Sequence, residues 1–133
     1  MTPLKAGAVL FAKDIAVVAR FYRELLGMTP VHKDTGIVVL ESTLMQLVVH
    51  GIPKRIADTF EITVPPVLRE DVPVKLVFPV ASLAAARKAA PALGGKLGPK
   101  SKEFTARGFV ACDGHDPEGN VLQFRESAAP AAD

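Results

Sequence analysis

The chain has no tryptophan, one tyrosine, one cysteine and no apolar run long enough to cross a membrane as a helix, and each scarcity excludes something. A lone Cys112 rules out an internal disulfide and fits a reducing compartment, so a cytoplasmic location is expected. The apolar stretch from Ala6 to Ala12 is too short for a span and leads into Lys13-Asp14, so neither a membrane partner nor a targeting segment is expected. With Tyr22 as the only tyrosine, an aromatic wall for stacking a planar ligand would have to come from phenylalanines such as Phe11, Phe60 or Phe104. Sixteen basic residues against fourteen acidic ones leave a formal charge of +2, and no Lys/Arg cluster is interleaved with aromatics, which removes the electrostatic case for nucleic acid. What is plentiful is apolar side chain, 49% over 133 residues, enough for a single domain to bury its own core without staples.

That apolar content is patterned. Leu4 to Lys13 reads as a strand, and Asp14 is a helix N-cap. Val18, Phe21, Tyr22 and Leu25 then fall at i, i+3, i+4 and i+7, and Gly27 supplies a left-handed helix end. Three short β-prone runs follow, Thr29 to His32, Gly36 to Glu41 and Leu44 to His50. The stretch from Gly51 to Pro73 is irregular and proline-rich; it reads as a connecting arm with one short strand around Phe60 to Val64, or equally as a lid. The pattern then restarts: Val74 to Val80 is a strand, Ser82 an N-cap, and Leu83, Ala86, Ala90 and Leu93 a helical stripe ending at Gly94-Gly95. A shift of about 68 residues lays Asp14 on Ser82, Leu25 on Leu93 and Gly27 on Gly95, which is an internal duplication. Pro91 removes an amide from the second helix and predicts a tightening there. Lys96 to Arg107 reads as a long mobile loop.

The chain closes on two β-prone runs, Phe109 to Asp113 and Val121 to Arg125, around Asp116-Pro117-Glu118-Gly119, a turn sequence that makes them a hairpin. Asp-Pro-Glu-Gly-Asn with its following strand, and Phe21-Tyr22-Arg23-Glu24-Leu25-Leu26-Gly27 at the first helix end, resemble the vicinal oxygen chelate superfamily of glyoxalases, bleomycin-resistance proteins and extradiol dioxygenases. The resemblance runs from Leu4 to Glu126. It implies an α+β fold of two βαβββ modules, about 4–50 and 74–126, whose curved mixed sheets surround a central cleft. The arm is 51–73 and the tail 127–133. A homodimer is also implied by the resemblance.

Metal-using members of that superfamily take ligands from the first and last strand of each module, and the matching positions here are Gly7, Gln46, Lys75 and Gln123. Glycine offers no ligand, an ammonium repels a cation, and two neutral amides are poor donors for a divalent ion, so no metal and no other cofactor are expected. Gln123, standing where the resemblance implies a glutamate, also takes away the carboxylate that the glyoxalase reaction uses as base. Introducing His at 7 and 75 with Glu at 46 and 123 would rebuild the ligand set. Strand parity turns Ala8, Leu10, Ala12, Leu76, Phe78 and Val80 toward the helices, and the four positions toward the cavity together with Val9, Val48, Val77 and Val121. His50 and Arg125 share that parity nearer the strand ends and are rim candidates. His32, His50 and His115 fall on separate places and do not converge, and Cys112 has no basic neighbour in sequence to activate it.

Two functions remain. One is a metal-independent protein binding a small molecule, with Lys75 meeting an anionic group and resting, without ligand, on water or on Gln46 and Gln123. The other is a lyase or isomerase of the same superfamily acting on a small anionic metabolite.

Overall fold

The computed structural model describes residues 3–128 and contains both modules. The first runs β1 (Ala6–Ala12), α1 (Ile15–Leu26), β2 (Thr29–Asp34), β3 (Ile37–Glu41) and β4 (Met45–Gly51). After a short α2 (Lys54–Ala57), the second runs β5 (Leu76–Pro79), α3 (Leu83–Ala89), β6 (Lys96–Leu97), β7 (Phe104–Ala106), β8 (Phe109–His115) and β9 (Val121–Ser127). The sheets share one plan. In the first the order is β1-β4-β3-β2; in the second it is β5-β9-β8-β6, with β7 also on β8. First and last strands pair in parallel, β1 on β4 and β5 on β9, and the remaining pairs are antiparallel.

The caps explain the helix limits. Asp14 accepts from the Val17 amide at 3.2 Å and Ser82 from the Ala85 amide at 3.0 Å, while Gly27 adopts the left-handed conformation that ends α1. Pro91 has the effect its missing amide dictates: α3 stops at Ala89 and the chain tightens into a 3-10 turn over Ala90–Leu93. The apolar face of α1 packs on both modules at once. Tyr22 stacks edge-on to Phe21 at 5.1 Å and leans on Phe78 of β5 at 5.6 Å, while the Phe21 ring lies so close to Gly95 that a Cβ there would fall 2.3 Å from it. One core therefore serves the whole chain, with Leu40, Leu47 and Val49 from one sheet and Leu122 and Phe124 from the other.

The structure corrects three of the expectations. No strand forms at 60–64; the arm instead carries α2 and a single bridge between Arg69 and Asn120. The 96–107 stretch is not a loop but the fourth strand of the second sheet, cut into β6 and β7 by Gly98-Pro99 and a 3-10 turn at Lys100–Lys102. Ser127 belongs to β9, opposite Phe109, rather than to a tail, and positions 129–133 of that tail lie outside the described residues. No helix among the described residues is long and apolar enough to cross a membrane.

Candidate functional site

Each sheet buries one face against the helices and leaves the other open. On the first, the ladder sets Gly7 opposite Gln46, Val9 opposite Val48 and Phe11 opposite His50, and continues Gln46 to Glu41 and Val48 to Val39 across β3. Val9 is 56% exposed and Phe11 53%, so this face is uncovered in a single chain. On the second, Val77 lies opposite Gln123, Gln123 opposite Asp113, and Val121 opposite His115. Val9 and Val48 therefore sit on one face, Val77 and Val121 on the other.

Lys75 precedes β5 and reaches across to Asp113 on β8, Nζ to Oδ2 2.8 Å, a partner beyond the water, Gln46 and Gln123 expected for it. The side chains are 42% and 46% exposed, so this is a half-wet ion pair rather than a buried ammonium. The other oxygen of Asp113 accepts from the Gln123 amide at 3.3 Å, and the Gln123 carbonyl accepts from Arg125 Nε at 2.7 Å. Arg125 lies over the Phe109 ring at 4.1 Å. The sequence Lys75, Asp113, Gln123, Arg125 is thus a chain of charge-assisted bonds with a cation at each end.

The first sheet repeats the chemistry in miniature. Lys5 Nζ meets Glu41 Oε1 at 3.1 Å, and Gln46 donates to Glu41 Oε2 at 2.8 Å. These bonds, that from Gln46 foremost and then that from Lys5, hold the Glu41 carboxyl below its ordinary pKa. Each sheet face therefore carries a lysine, a carboxylate and a glutamine, and both carboxylates went unnoticed in the sequence. A hairpin around Asp116–Gly119 alone sets 113 beside 122, and one closing at Ser42-Thr43 sets 41 beside 44; the turns run over 116–120 and 42–45, which is what brings 113 opposite 123 and 41 opposite 46.

A recess of about 350 Å3 opens beside Lys75 and Asp113, walled by Arg69, Glu70, Val72, Val74 and Val121. His50 lies apart from it on the first sheet, tilted on Phe11 at 5.4 Å with Nδ1 held by the Gly51 carbonyl at 2.8 Å.

Comparison with known proteins agrees with this architecture. The glyoxalase-like domain family matches residues 7–124, nearly the whole described chain. The chain belongs to that family. Among solved structures, a glyoxalase/bleomycin resistance protein/dioxygenase family enzyme from Burkholderia phytofirmans PsJN is 16% identical, with a TM-score of 0.67 over 92% of this chain and 97% of that one. A glyoxalase-related enzyme from Fulvimarina pelagi is 18% identical, TM-score 0.67, over 98% and 94%. The fosfomycin resistance protein FosX from Mesorhizobium loti is 10% identical, TM-score 0.64, over 96% and 94%. At these identities the likeness is one of fold. No curated protein matches the chain.

The residues of this glyoxalase-like domain do not fit the metal of its metal-using relatives. Gln46 and Gln123 spend their amides on Glu41, Asp113 and Arg125, and the pairing that sets Gly7 beside Gln46 sets Val77, not Lys75 as expected, beside Gln123, so the third position offers no donor. At the fourth, β1 and β4 approach so closely that a Cβ on Gly7 would lie 2.2 Å from the Gln46 carbonyl oxygen. A histidine there has no room, which corrects the expectation that four substitutions would rebuild the ligand set. Among the described residues no three His, Cys, Asp or Glu side chains gather as a metal would need.

The Asp-Pro-Glu-Gly-Asn turn, the family's strongest signature here, is structural. Asp116 is buried and accepts from Tyr22 Oη at 2.7 Å, from the Glu118 and Asn120 amides at 2.9 and 3.0 Å, and from Asn120 Nδ2 at 2.8 Å. Glu118, also buried, accepts from the amides of Lys13 and Asp14 at 2.9 and 2.7 Å, clamping the hairpin of the second module onto the helix start of the first.

Proposed function

We propose that this glyoxalase-like domain is a metal-independent, cytoplasmic small-molecule binding protein whose ligand brings an anionic group to Lys75 and Arg125. The observation that carries the reading is the Lys75–Asp113–Gln123–Arg125 chain on an open sheet face, in which Lys75 pairs with Asp113 directly and Arg125 is linked to it through Gln123. An arriving carboxylate or phosphate exchanges with Asp113 for Lys75 at small cost, because the pair is half-exposed and worth about 0–1 kcal/mol. Val77 and Val121 give apolar surface beside it. Val9 and Val48 join the same ligand only where the two faces meet, and a homodimer in which a second copy closes over them supplies that arrangement. Binding rather than catalysis is favoured by the donor set: glutamine stands where the family's reaction places a carboxylate, and Lys75 is engaged.

The test is a thermal-shift screen of purified protein against carboxylated and phosphorylated metabolites, with metal analysis of the same sample. A ligand that binds only the folded state raises the midpoint, and Lys75→Met should abolish that shift while leaving the unliganded midpoint within a few degrees of the parent. Equal shifts in parent and Lys75→Met would sink the assignment. Stoichiometric metal lost on Gln46→Ala or Gln123→Ala would sink its metal independence, and turnover of the bound metabolite would move the protein to the lyase or isomerase class.

A further inference from the structure

A second hollow lies away from the sheet faces. It measures about 590 Å3 and lies on the helix side, between the start of α1, the turn at Gly94-Gly95, the hairpin turn and residues 61–66 of the arm. The arm crosses it as a strap tied at both ends. At one end Lys13 Nζ bonds the Phe60 carbonyl and sits 5.1 Å over the Phe60 ring; at the other the Arg69 amide bonds the Gly119 carbonyl at 2.8 Å. Between those ties no backbone amide or carbonyl of 61–68 bonds the body of the protein among the described residues.

The walls are apolar, from Val17, Ile62, Val64, Pro65, Pro91 and Pro117. Val64 borders the hollow yet remains 97% exposed, so the chain leaves unfilled a space into which its own valine would gain by packing. The charged groups around it are unequally occupied. Asp14 and Glu118 spend their oxygens on the amides at the start of α1, and Lys13 on Phe60. Lys96 forms no ion pair among the described residues. It neighbours His115 across the β6–β8 ladder, and His115 Nδ1 is held by the Asp116 carbonyl at 2.9 Å, which leaves Nε2 as the free ring nitrogen. Glu61 on the strap has no ion pair among the described residues. A volume in the range of small-molecule pockets, apolar walls and a free cation beside an imidazole describe a binding site.

We propose that the hollow beneath the 60–68 strap is a second ligand site, separate from the Lys75 face, for a compact amphiphile with an aromatic or branched apolar body and one acidic group directed to Lys96.

The probe that tests it is 8-anilino-1-naphthalenesulfonate, read by fluorescence on the folded full chain. Saturable binding of one probe per chain is expected. Val17→Trp, which fills the hollow and adds the chain's only tryptophan, should abolish it; Lys96→Glu, at an exposed position, should weaken it about tenfold. Glu61→Gln should tighten it. Absence of saturable binding, or binding undiminished in Lys96→Glu and in folded Val17→Trp, overturns the site. Binding lost in Lys75→Met but kept in Val17→Trp places the probe on the sheet face and likewise overturns it. Tighter binding of the neutral N-phenyl-1-naphthylamine overturns the acidic class of ligand.

Discussion

Tyr22 is the only tyrosine in the chain, it is fully buried, and its hydroxyl donates to Asp116 at 2.7 Å. Burial first, and then the adjacent Asp116 carboxylate, raise its pKa well above 10. Because the folded value exceeds the unfolded one, the stability that Tyr22 contributes is complete below about pH 10 and is lost as pH rises through the folded value. Near-ultraviolet absorbance, uncluttered by tryptophan, should therefore show no tyrosinate as the native protein passes pH 10, and then a rise coincident with loss of helical circular dichroism. A reversible titration at an ordinary tyrosine pKa in folded protein would contradict the buried pair. Gly7 makes a second prediction at this scale. Its missing Cβ lets β1 close on β4, so Gly7→Ala must spread the parallel pair and should cost about 1–3 kcal/mol in chemical denaturation. A midpoint equal to the parent's would show that the strands yield freely there, and the steric case against a ligand at position 7 would fall.

Glu118 acts on an element it does not belong to. Its two oxygens take the Lys13 and Asp14 amides at the start of α1, and Glu126 takes the Leu83 amide at the start of α3 in the same manner from β9. Glu118→Ala would leave two amides of a part-buried junction without their carboxylate, and a loss of about 1–2 kcal/mol is expected, read as a denaturation midpoint several degrees lower. Loss of no more than a surface substitution gives would mean that water replaces the carboxylate. Such long-range caps mark the limit of what the sequence carried. Helix α1, with its i, i+3, i+4 stripe between Asp14 and Gly27, was legible because its signals are local, and so was the closing hairpin with its Asp-Pro-Glu-Gly turn. Strands β6 and β7 were not, because each is only two or three residues long and Gly98-Pro99 between them reads as loop; only the β8 edge they pair with makes them strands. The candidate site divides the same way. Parity set Lys75 and Gln123 on one face, and both bond Asp113, but counting from the N-cap set Lys75 level with Gln123, whereas the ladder puts Val77 there.

Across the whole molecule, the open sheet faces carry side chains that water does not favour. An antiparallel or mixed sheet with one face on the core ordinarily presents polar groups on the other. Here Val9, Phe11, Val77 and Phe104 are all exposed, while the helix-side faces are consumed by the shared core. We propose that this apolar surface on both modules is covered by a second copy related by a twofold axis. Pairing would also bring a lysine–carboxylate–glutamine cluster from each module toward a common cavity, so that Lys5, Glu41 and Gln46 of one copy complete what Lys75, Asp113 and Gln123 begin in the other. Light scattering at micromolar concentration should then give the mass of two chains, and Phe11→Glu should give one chain with unchanged far-ultraviolet circular dichroism. The same substitution separates the two ligand sites: losing the partner should weaken an anion bound at Lys75, yet leave a probe beneath the strap unaffected, since that hollow lies on the helix side of one chain. A single-chain mass for the parent, or a dimer that survives Phe11→Glu, would mean that these faces close in some other way.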